Sequence, residues 1–493
     1  MANQVDVKHP DYEENEERWK RCRDTVSGSD AVKAAGKEYL PLLDKQTGPD
    51  YEAYVKRALF YGATSRTVQA LLGAAFRKDP NYEVPSAFEE LLESLTSNGL
   101  SILDFSRRTV RELLVVGRVG LLVDVDGEDT VYAEMYKTEN IFNWRTARID
   151  GKEEVTMVVL NEEFSDTESD EFAVKKGYQI RVLHLTKGIN GQADKYMYWQ
   201  QLYRKGLNND KDTWIKYGDP VVPLRLGARL ERIPFFFVNP NSLTTDTEKP
   251  VLLDLVDVNL SHYRSSADLE HGAHYTALPT AWIAGFSPDK EYNIGSRTAW
   301  VSEKVDAKAG YLEFTGQGLD ALMKLIARKE QLMAVLGARM LEEQKKSAEA
   351  ADTHRIRQSG ESGALSVVVG TASEALELVL QKIIWWKGSN DTKTSVEYHL
   401  NDDFIDDRMK PDELIAFMKL WQSGSISQNT FLYNLKRGEI LSPETSIEDE
   451  KELIATEFGA GSGTGLNEDV IPVKRQFDFV KDDKGESTGI REV

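Results

Sequence analysis

The stretch Leu319-Asp-Ala-Leu-Met-Lys-Leu-Ile-Ala-Arg-Lys-Glu-Gln-Leu-Met-Ala-Val-Leu-Gly-Ala-Arg-Met-Leu341 decides the architecture. Leu319, Leu322, Ile326, Met333, Leu336 and Met340 recur at spacings of three, four and seven, which gathers them on one side of an α-helix, with Lys329 interrupting the seam. The pattern predicts a helix with one apolar face. Upstream, Leu253 to His274 reads as another helix. Between the two lie short runs of strand character: Thr280-Ala-Trp-Ile-Ala, Thr298-Ala-Trp-Val and Gly310-Tyr-Leu-Glu-Phe. A strand-rich insert therefore separates two helices. Downstream, the polar stretch Glu342 to His354 leads into a long helix ending at Trp386, with Leu365, Val369, Ala372, Leu376, Val379 and Ile383 as its buried stripe. A strand follows at Ser395 to Leu400.

Further out, Pro10 to Lys78 is helical, with Glu13, Glu14, Glu16 and Glu17 leading into Arg18, Lys20, Arg21 and Arg23, the order a helix dipole favours. A second helix opens with Asp50 as N-cap and carries Tyr54, Ala58, Tyr61, Val68, Leu71, Leu72 and Phe76 until Asp79-Pro80 stops it. Residues 87–116 read as more helix, with Phe88, Leu91, Leu92 and Leu95 in front of a break at Asn98-Gly99. Residues 117–240 are rich in strands, with runs starting at Val119, Val155, Tyr178 and Pro234, separated by Asp-Gly, Asn-Gly and Asn-Asn turn signals. Near the C-terminus, Pro411 starts a helix bearing Leu414, Phe417, Met418 and Trp421, and Ser427 caps another that ends at Gly438. A third covers Ile447 to Phe458. Gly459 to Gly465 is a linker by composition, and a hairpin turns at Asp482 to Gly485. The fold class read from this order is α+β.

The length, 493 residues, suggests about three folding units. With 61 Lys+Arg against 81 Asp+Glu the net charge is −20, and a hydrophobic share of 41% is ample for a packed core. The acid excess argues against a protein that grips nucleic acid over a broad face, because such binding neutralises phosphates with Lys and Arg. The one cysteine, Cys22, forms no internal disulfide and fits a reducing compartment. No run approaches a membrane span and the polar start is no signal peptide, so the expectation is a soluble, intracellular chain without membrane association.

A search for chemistry finds no complete motif. Gly36-Lys37 and Gly151-Lys152 lack the rest of a phosphate loop, and Gly459, Gly461, Gly463 and Gly465 follow an acidic helix rather than a strand. The best metal candidates are Asp254, Asp257, His262, Asp268, Glu270, His271 and His274. His262 and His271, nine residues apart, fall on opposite helix faces, which favours a polar interfacial helix over a ligand set. Asp402, Asp403, Asp406 and Asp407 have the residue types of a nuclease cation site, with helix caps and solvated loop as the alternative. Asp124 to Asp129 places glycine wrongly for a calcium loop and reads as a hairpin turn. Cys22 lies in a charged amphipathic helix, and G-x-S-x-G is absent. The expectation is no catalytic residues, no metal and no cofactor.

The order helix, strand-rich body, helix, strand-rich insert, helix, polar loop, long helix, terminal helices resembles the portal proteins of tailed bacteriophages, the ring-shaped head-to-tail connectors. Several strings carry the likeness: His9-Pro-Asp-Tyr with Trp19, Tyr39-Leu-Pro-Leu-Leu43, Phe76-Arg-Lys-Asp-Pro80, Asn140-Ile-Phe-Asn-Trp-Arg145, Asn259 to Gly272, Gly310 to Gly318, Leu336-Gly-Ala-Arg-Met-Leu341 and Gly424 to Thr430. They look like a portal subgroup long carried only as a domain of unknown function. The likeness spans residues 9 to 457 and draws its specificity from collinearity.

The resemblance implies a portal-type fold with a mixed α/β wing, a helical stem, a small strand-rich clip and a helical crown. It implies a homo-oligomeric ring, commonly of twelve subunits, at one capsid vertex of the virion. Double-stranded DNA passes through during packaging and ejection without sequence specificity. The partners implied are a terminase motor, head-completion or tail adaptor proteins, and major capsid or scaffold protein. By segment it places the wing at 1–250 and 356–400, stem helices at 251–274 and 317–341, the clip at 275–316, a tunnel loop at 342–355, and crown and acidic tail at 401–493. Lys345 and Lys346 would face DNA with Arg355 and Arg357 behind them; the bland alternative pairs both lysines with Glu342, Glu343 and Glu349 along a solvated helix. Trp282, Ile283, Trp300, Val301, Tyr311 and Phe314 are too many apolar side chains for a small hairpin to bury, so the clip is expected to pair between subunits. A conduit must not hold its cargo, because affinity climbs steeply with each neutralised phosphate, and an acidic subunit meets that need. The competing readings are a metal-dependent nuclease or hydrolase, and another phage structural component such as a scaffold or tail adaptor.

Overall fold

A computed structural model describes residues 4–127, 130–166, 175–187, 195–205, 213–277, 280–287, 292–293, 299–312, 317–338, 363–390, 395–402, 404, 411–422, 425–437, 440–441, 446–459, 477–481 and 487–492. The chain divides into two compact units, Met1–Phe404 and Ile405–Val493.

The first unit opens with α1 (Pro10–Ser27), where Pro10 occupies the first turn and the His9 Nδ1 accepts from the Asp11 N–H at 3.2 Å. It buries Tyr12, Trp19 and Cys22. After α2 (Ser29–Ala34), the single helix expected from Asp50 to Phe76 is two. Thr47, not Asp50, caps α3 (Gly48–Arg57), and α4 (Ala63–Ala75) starts after an extended break. The break has a tertiary cause. The fully buried Asn259 accepts from the Thr64 N–H and hydroxyl and donates to the Tyr61 carbonyl at 2.7 Å, which satisfies backbone groups that a continuous helix would have paired internally.

Next, β1 (Asn81–Glu83) precedes the short α5 (Glu90–Glu93) and α6 (Ile102–Val116). The helical stretch expected over 87–116 breaks at Asn98-Gly99 as expected, in a turn where the Thr96 hydroxyl accepts from the Leu100 N–H at 2.8 Å. Ser101 then caps α6 through the Asp104 N–H at 3.2 Å. Gly117 ends α6 at φ +73, and a Cβ there would lie 3.1 Å from the Pro250 Cα, so the position needs glycine twice over.

The strand-rich body is two antiparallel sheets. In the first, β2 (Val119–Val125) lies between β3 (Val131–Lys137) and a later strand, β11. The second is a meander of β4 (Ile141–Ile149), β5 (Lys152–Asp166), β6 (Lys175–Lys187), β7 (Tyr196–Lys205) and β8 (Trp214–Val221). A small hairpin, β9 (Leu224–Arg225) with β10 (Ala228–Arg229), leads to β11 (Phe235–Val238). A polar network joins the sheets. Arg181 on β6 donates to Asp124 on β2 at 2.8 Å and to Glu162 on β5 at 2.7 Å, and the buried Tyr136 hydroxyl on β3 donates to Glu162 at 2.7 Å. Burial opposes the Arg181 charge, but Tyr136, Glu162 and Asp124 together hold its pKa above the ordinary value.

From there the chain forms α7 (Leu253–Ala277), β12 (Thr280–Ala284), β13 (Lys308–Leu312) and α8 (Gln317–Ala338). Residues 299–301, expected as a strand, are not in one; of the strand expected from Gly310, β13 covers residues up to Leu312, and Glu313 and Phe314 lie outside the described residues. Then α9 (Ala364–Trp386) carries the expected stripe: Leu365, Val369, Ala372, Leu376, Val379 and Ile383 are all fully buried. At roughly 1.5–3 kcal/mol per large aliphatic side chain, this helix is a main source of core stability, packed against α6, β2, β3 and β11. Last, β14 (Glu397–His399) pairs antiparallel with β1.

The second unit contains α10 (Pro411–Gln422), α11 (Gln428–Arg437), α12 (Ile447–Gly459) and the antiparallel pair β15 (Phe477–Lys481) and β16 (Ser487–Glu492). The Ser427 hydroxyl caps α11 by accepting from the Thr430 N–H at 3.2 Å, and Ser446 caps α12 through the Asp449 N–H at 3.1 Å. Leu432 is buried while Met418, Leu420, Trp421, Tyr433 and Leu453 are exposed, and the Trp421 and Phe431 rings stack with centroids 4.8 Å apart. The class is α+β, as the sequence order implied.

Candidate assembly site

α7 and α8 would span ~38 and ~33 Å at 1.5 Å per residue. They run antiparallel: Gly272 of α7 faces Leu319 at one end of α8, and His262 Nε2 lies 3.3 Å from the Glu330 carboxylate further along. A Cβ on Gly272 would come within 2.7 Å of the Leu319 Cδ2, so the two helices are in close contact at this point. The seam interruption at Lys329 is resolved inside the pair. Its ammonium donates to the Ser261 carbonyl at 2.9 Å and the Ser265 hydroxyl at 2.6 Å, and burial pulls its pKa down.

The base of α7 is anchored in the first unit. Leu253, Leu255, Val256, Leu260, Tyr263 and Ala267 are buried there. The ligand-type residues of α7 are dispersed among different neighbours. Asp254 pairs with Lys249 at 2.6 Å, Asp257 with Arg21 at 3.0 Å, and Asp268 accepts from the Tyr54 hydroxyl at 2.6 Å. His271 packs edge-on against Tyr54, with Arg57 3.5 Å from its Nδ1, while His274 contacts the Tyr275 ring and Glu270 is exposed. Among the described residues no three such side chains converge on a common point. Asp402 lines a cavity of about 530 Å³ with Asp79, Glu374, Glu377 and His399. Asp403, Asp406 and Asp407 lie outside the described residues.

One sequence expectation for α8 is corrected. The inner seam of Leu319, Leu322, Ile326, Lys329, Met333 and Leu336 is sheltered, but a second row, Ala321, Leu325, Arg328, Leu332 and Val335, lies roughly 110° round the helix. Leu325, Leu332 and Val335 are each more than two-fifths exposed. Their 4-3-4-3 spacing is the repeat by which one helix packs on another. That spacing was legible in the sequence. Its exposure among the described residues was not.

The insert behaves similarly. Among the described residues β12 and β13 form a two-stranded sheet with no third strand on either outer edge. Trp282, Ile283, Val301 and Tyr311 are exposed, whereas the half-buried Trp300 donates its indole N–H to the Asn293 carbonyl at 2.9 Å. Phe314, Lys345, Lys346, Arg355 and Arg357 lie outside the described residues. Among the described residues no helix is long and apolar enough to cross a membrane.

Residues 251–387 match a domain of unknown function (DUF4055). That range runs from the start of α7 to the end of α9. No curated protein matches the chain. Among solved structures, a neck chain of a native GTA particle computed with C12 symmetry is 11% identical, with 79% of this chain and 94% of that chain covered at a TM-score of 0.33. A neck chain of an empty GTA particle computed with C6 symmetry is 12% identical over 82% and 97%, also at 0.33. A chain of the virion of a native gene transfer agent particle is 11% identical over 81% and 96%, at 0.35. TM-scores this low carry no functional weight.

Proposed function

We propose that this chain is a portal subunit: a structural, non-enzymatic component of a tailed-phage particle that assembles into a ring, commonly of twelve copies, at one capsid vertex. The observation that carries the reading is the second apolar row of α8 together with the two-stranded insert beyond it. A lone subunit leaves Leu325, Leu332, Val335, Trp282 and Tyr311 in water, at a cost that burial against a neighbouring copy removes. The collinear portal-like strings support the same assignment. In this reading α7 and α8 are the stem, 275–316 the clip, 342–355 the tunnel loop, and the two sheets belong to the wing. DNA is cargo, and the terminase motor and tail adaptors dock on the ring.

Negative-stain imaging of the full chain, with sedimentation velocity, tests this directly. Closed rings with a central hole are expected. The variant Leu325→Ser/Leu332→Ser/Val335→Ser should remain folded by circular dichroism and lose the ring. A wild-type chain that stays monomeric, or one that hydrolyses DNA with an added divalent cation, would overturn the assignment.

A further inference from the structure

The first unit carries a cationic cavity that neither the core nor the proposed ring contacts use. It encloses about 300 Å³ between α6, β3 and the turn at 96–100. Arg108 and Arg111 stand one turn apart on α6, and Lys137 approaches from the end of β3. All three are exposed, and among the described residues none of their side chains has an ion-pair or hydrogen-bond partner.

The acids at this site do not cancel them. Glu112 is bound by Arg23, which chelates Glu112 and Glu139 together from α1. Glu134 is engaged by the Ser97 hydroxyl at 3.2 Å, and burial raises its pKa. The wall is rigid: the Thr96 hydroxyl donates to Asn98 at 2.6 Å and accepts from the Leu100 N–H, and the Ala133 N–H bonds the Leu95 carbonyl at 2.9 Å, tying the turn to β3. Leu100 and Phe105 supply an apolar floor. A preformed concavity with three uncommitted cations is opposite in sign to the chain's net charge of −20.

We propose that this cavity is a docking site for an acidic segment of a partner protein, with carboxylates held by Arg108, Arg111 and Lys137 and an adjacent apolar side chain on Leu100 and Phe105. Guanidinium groups one helical turn apart offer planar forks that match carboxylates. The volume suits one or two side chains and is too small for a nucleic-acid duplex, whose approach the chain's overall charge also opposes.

The test uses the full chain and a fluorescein-labelled peptide of six glutamates, read by fluorescence anisotropy. Saturable binding is expected in wild type, weakened by added salt. Arg108→Gln/Arg111→Gln should weaken it by ~tenfold or more, the loss of two charge-assisted contacts. The control Arg148→Gln/Lys152→Gln removes two exposed cations from the β4–β5 turn and should leave binding unchanged. Unchanged thermal midpoints establish that both variants are folded. Absence of saturable binding, or equal loss in both variants, overturns the proposal. Complete displacement of the peptide by equimolar inorganic phosphate also overturns it, in favour of a small-anion site.

Discussion

Arg118 is almost completely buried, and its conformation explains how the N-terminal helix is held. One Nη donates to the Thr245 carbonyl at 2.9 Å, the guanidinium lies 4.1 Å from the Trp144 ring centroid and 4.7 Å from that of Phe237, and His9 stacks on Trp144 at 3.9 Å. Burial lowers the Arg118 pKa to about 9, with the nearby Asp11 and Asp246 only partly offsetting the lost water. His184 is the residue where this kind of burial has a pH consequence. It stacks on Trp199 at 4.2 Å, and burial, with Lys216 nearby, lowers its pKa to about 4. Because the folded value lies below the ordinary 6.5, protonation favours the unfolded chain. The stability this group contributes is complete above pH 6.5 and is lost as pH falls towards 4, by at most about 3 kcal/mol. Thermal melts across pH 7 to 4 should therefore fall more steeply for wild type than for His184→Gln, and parallel curves would refute the account. The Cys22 thiol, pushed up to about 12 by burial, is correspondingly inert.

At the scale of elements, α8 has to satisfy two surfaces at once. Its inner seam accepts Lys329 because Ser261 and Ser265 of α7 supply acceptors, and Leu325, Leu332 and Val335 of its outer row stay exposed among the described residues. Gly272 lies at the inner contact. Alanine there gains about 1 kcal/mol in helix propensity and displaces only the tip of Leu319, so it should be close to neutral. Valine adds bulk that the tip cannot yield to, and Gly272→Val should cost about 1–3 kcal/mol. Denaturant unfolding of both variants checks the ordering, and equal stability for alanine and valine would show that the helices do not close at this point.

For the whole molecule, the charge of −20 acquires a place in the proposed ring. About twelve copies would carry a total near −240, screened within ~8 Å at physiological salt, so only charges lining the channel act on passing DNA. The acid excess favours sliding over capture. Replacing Lys345 and Lys346 with glutamate should leave ring assembly intact and alter DNA packaging or retention in particles. Loss of rings in that variant would assign the two lysines a structural role instead.

The sequence by itself determined the α+β class, the order of elements, the apolar stripe of α9 and the inner seam of α8, because each is a local periodicity that one helix or strand expresses unaided. It also marked the ligand-type residues of α7 as belonging to different helix faces. Only the tertiary structure decided the break between α3 and α4, since Asn259 lies some 200 residues away in sequence and supplies the hydrogen bonds that make the break tolerable. The same holds for the polar bridge from Arg181 to Asp124 and Glu162, and for the cavity of Arg108, Arg111 and Lys137. In each, the cost or gain of a charged group is set by neighbours that the chain brings together over long range. The outer row of α8 shows the division within a single helix: its spacing is written in the sequence, while its exposure follows from what the rest of the fold leaves uncovered.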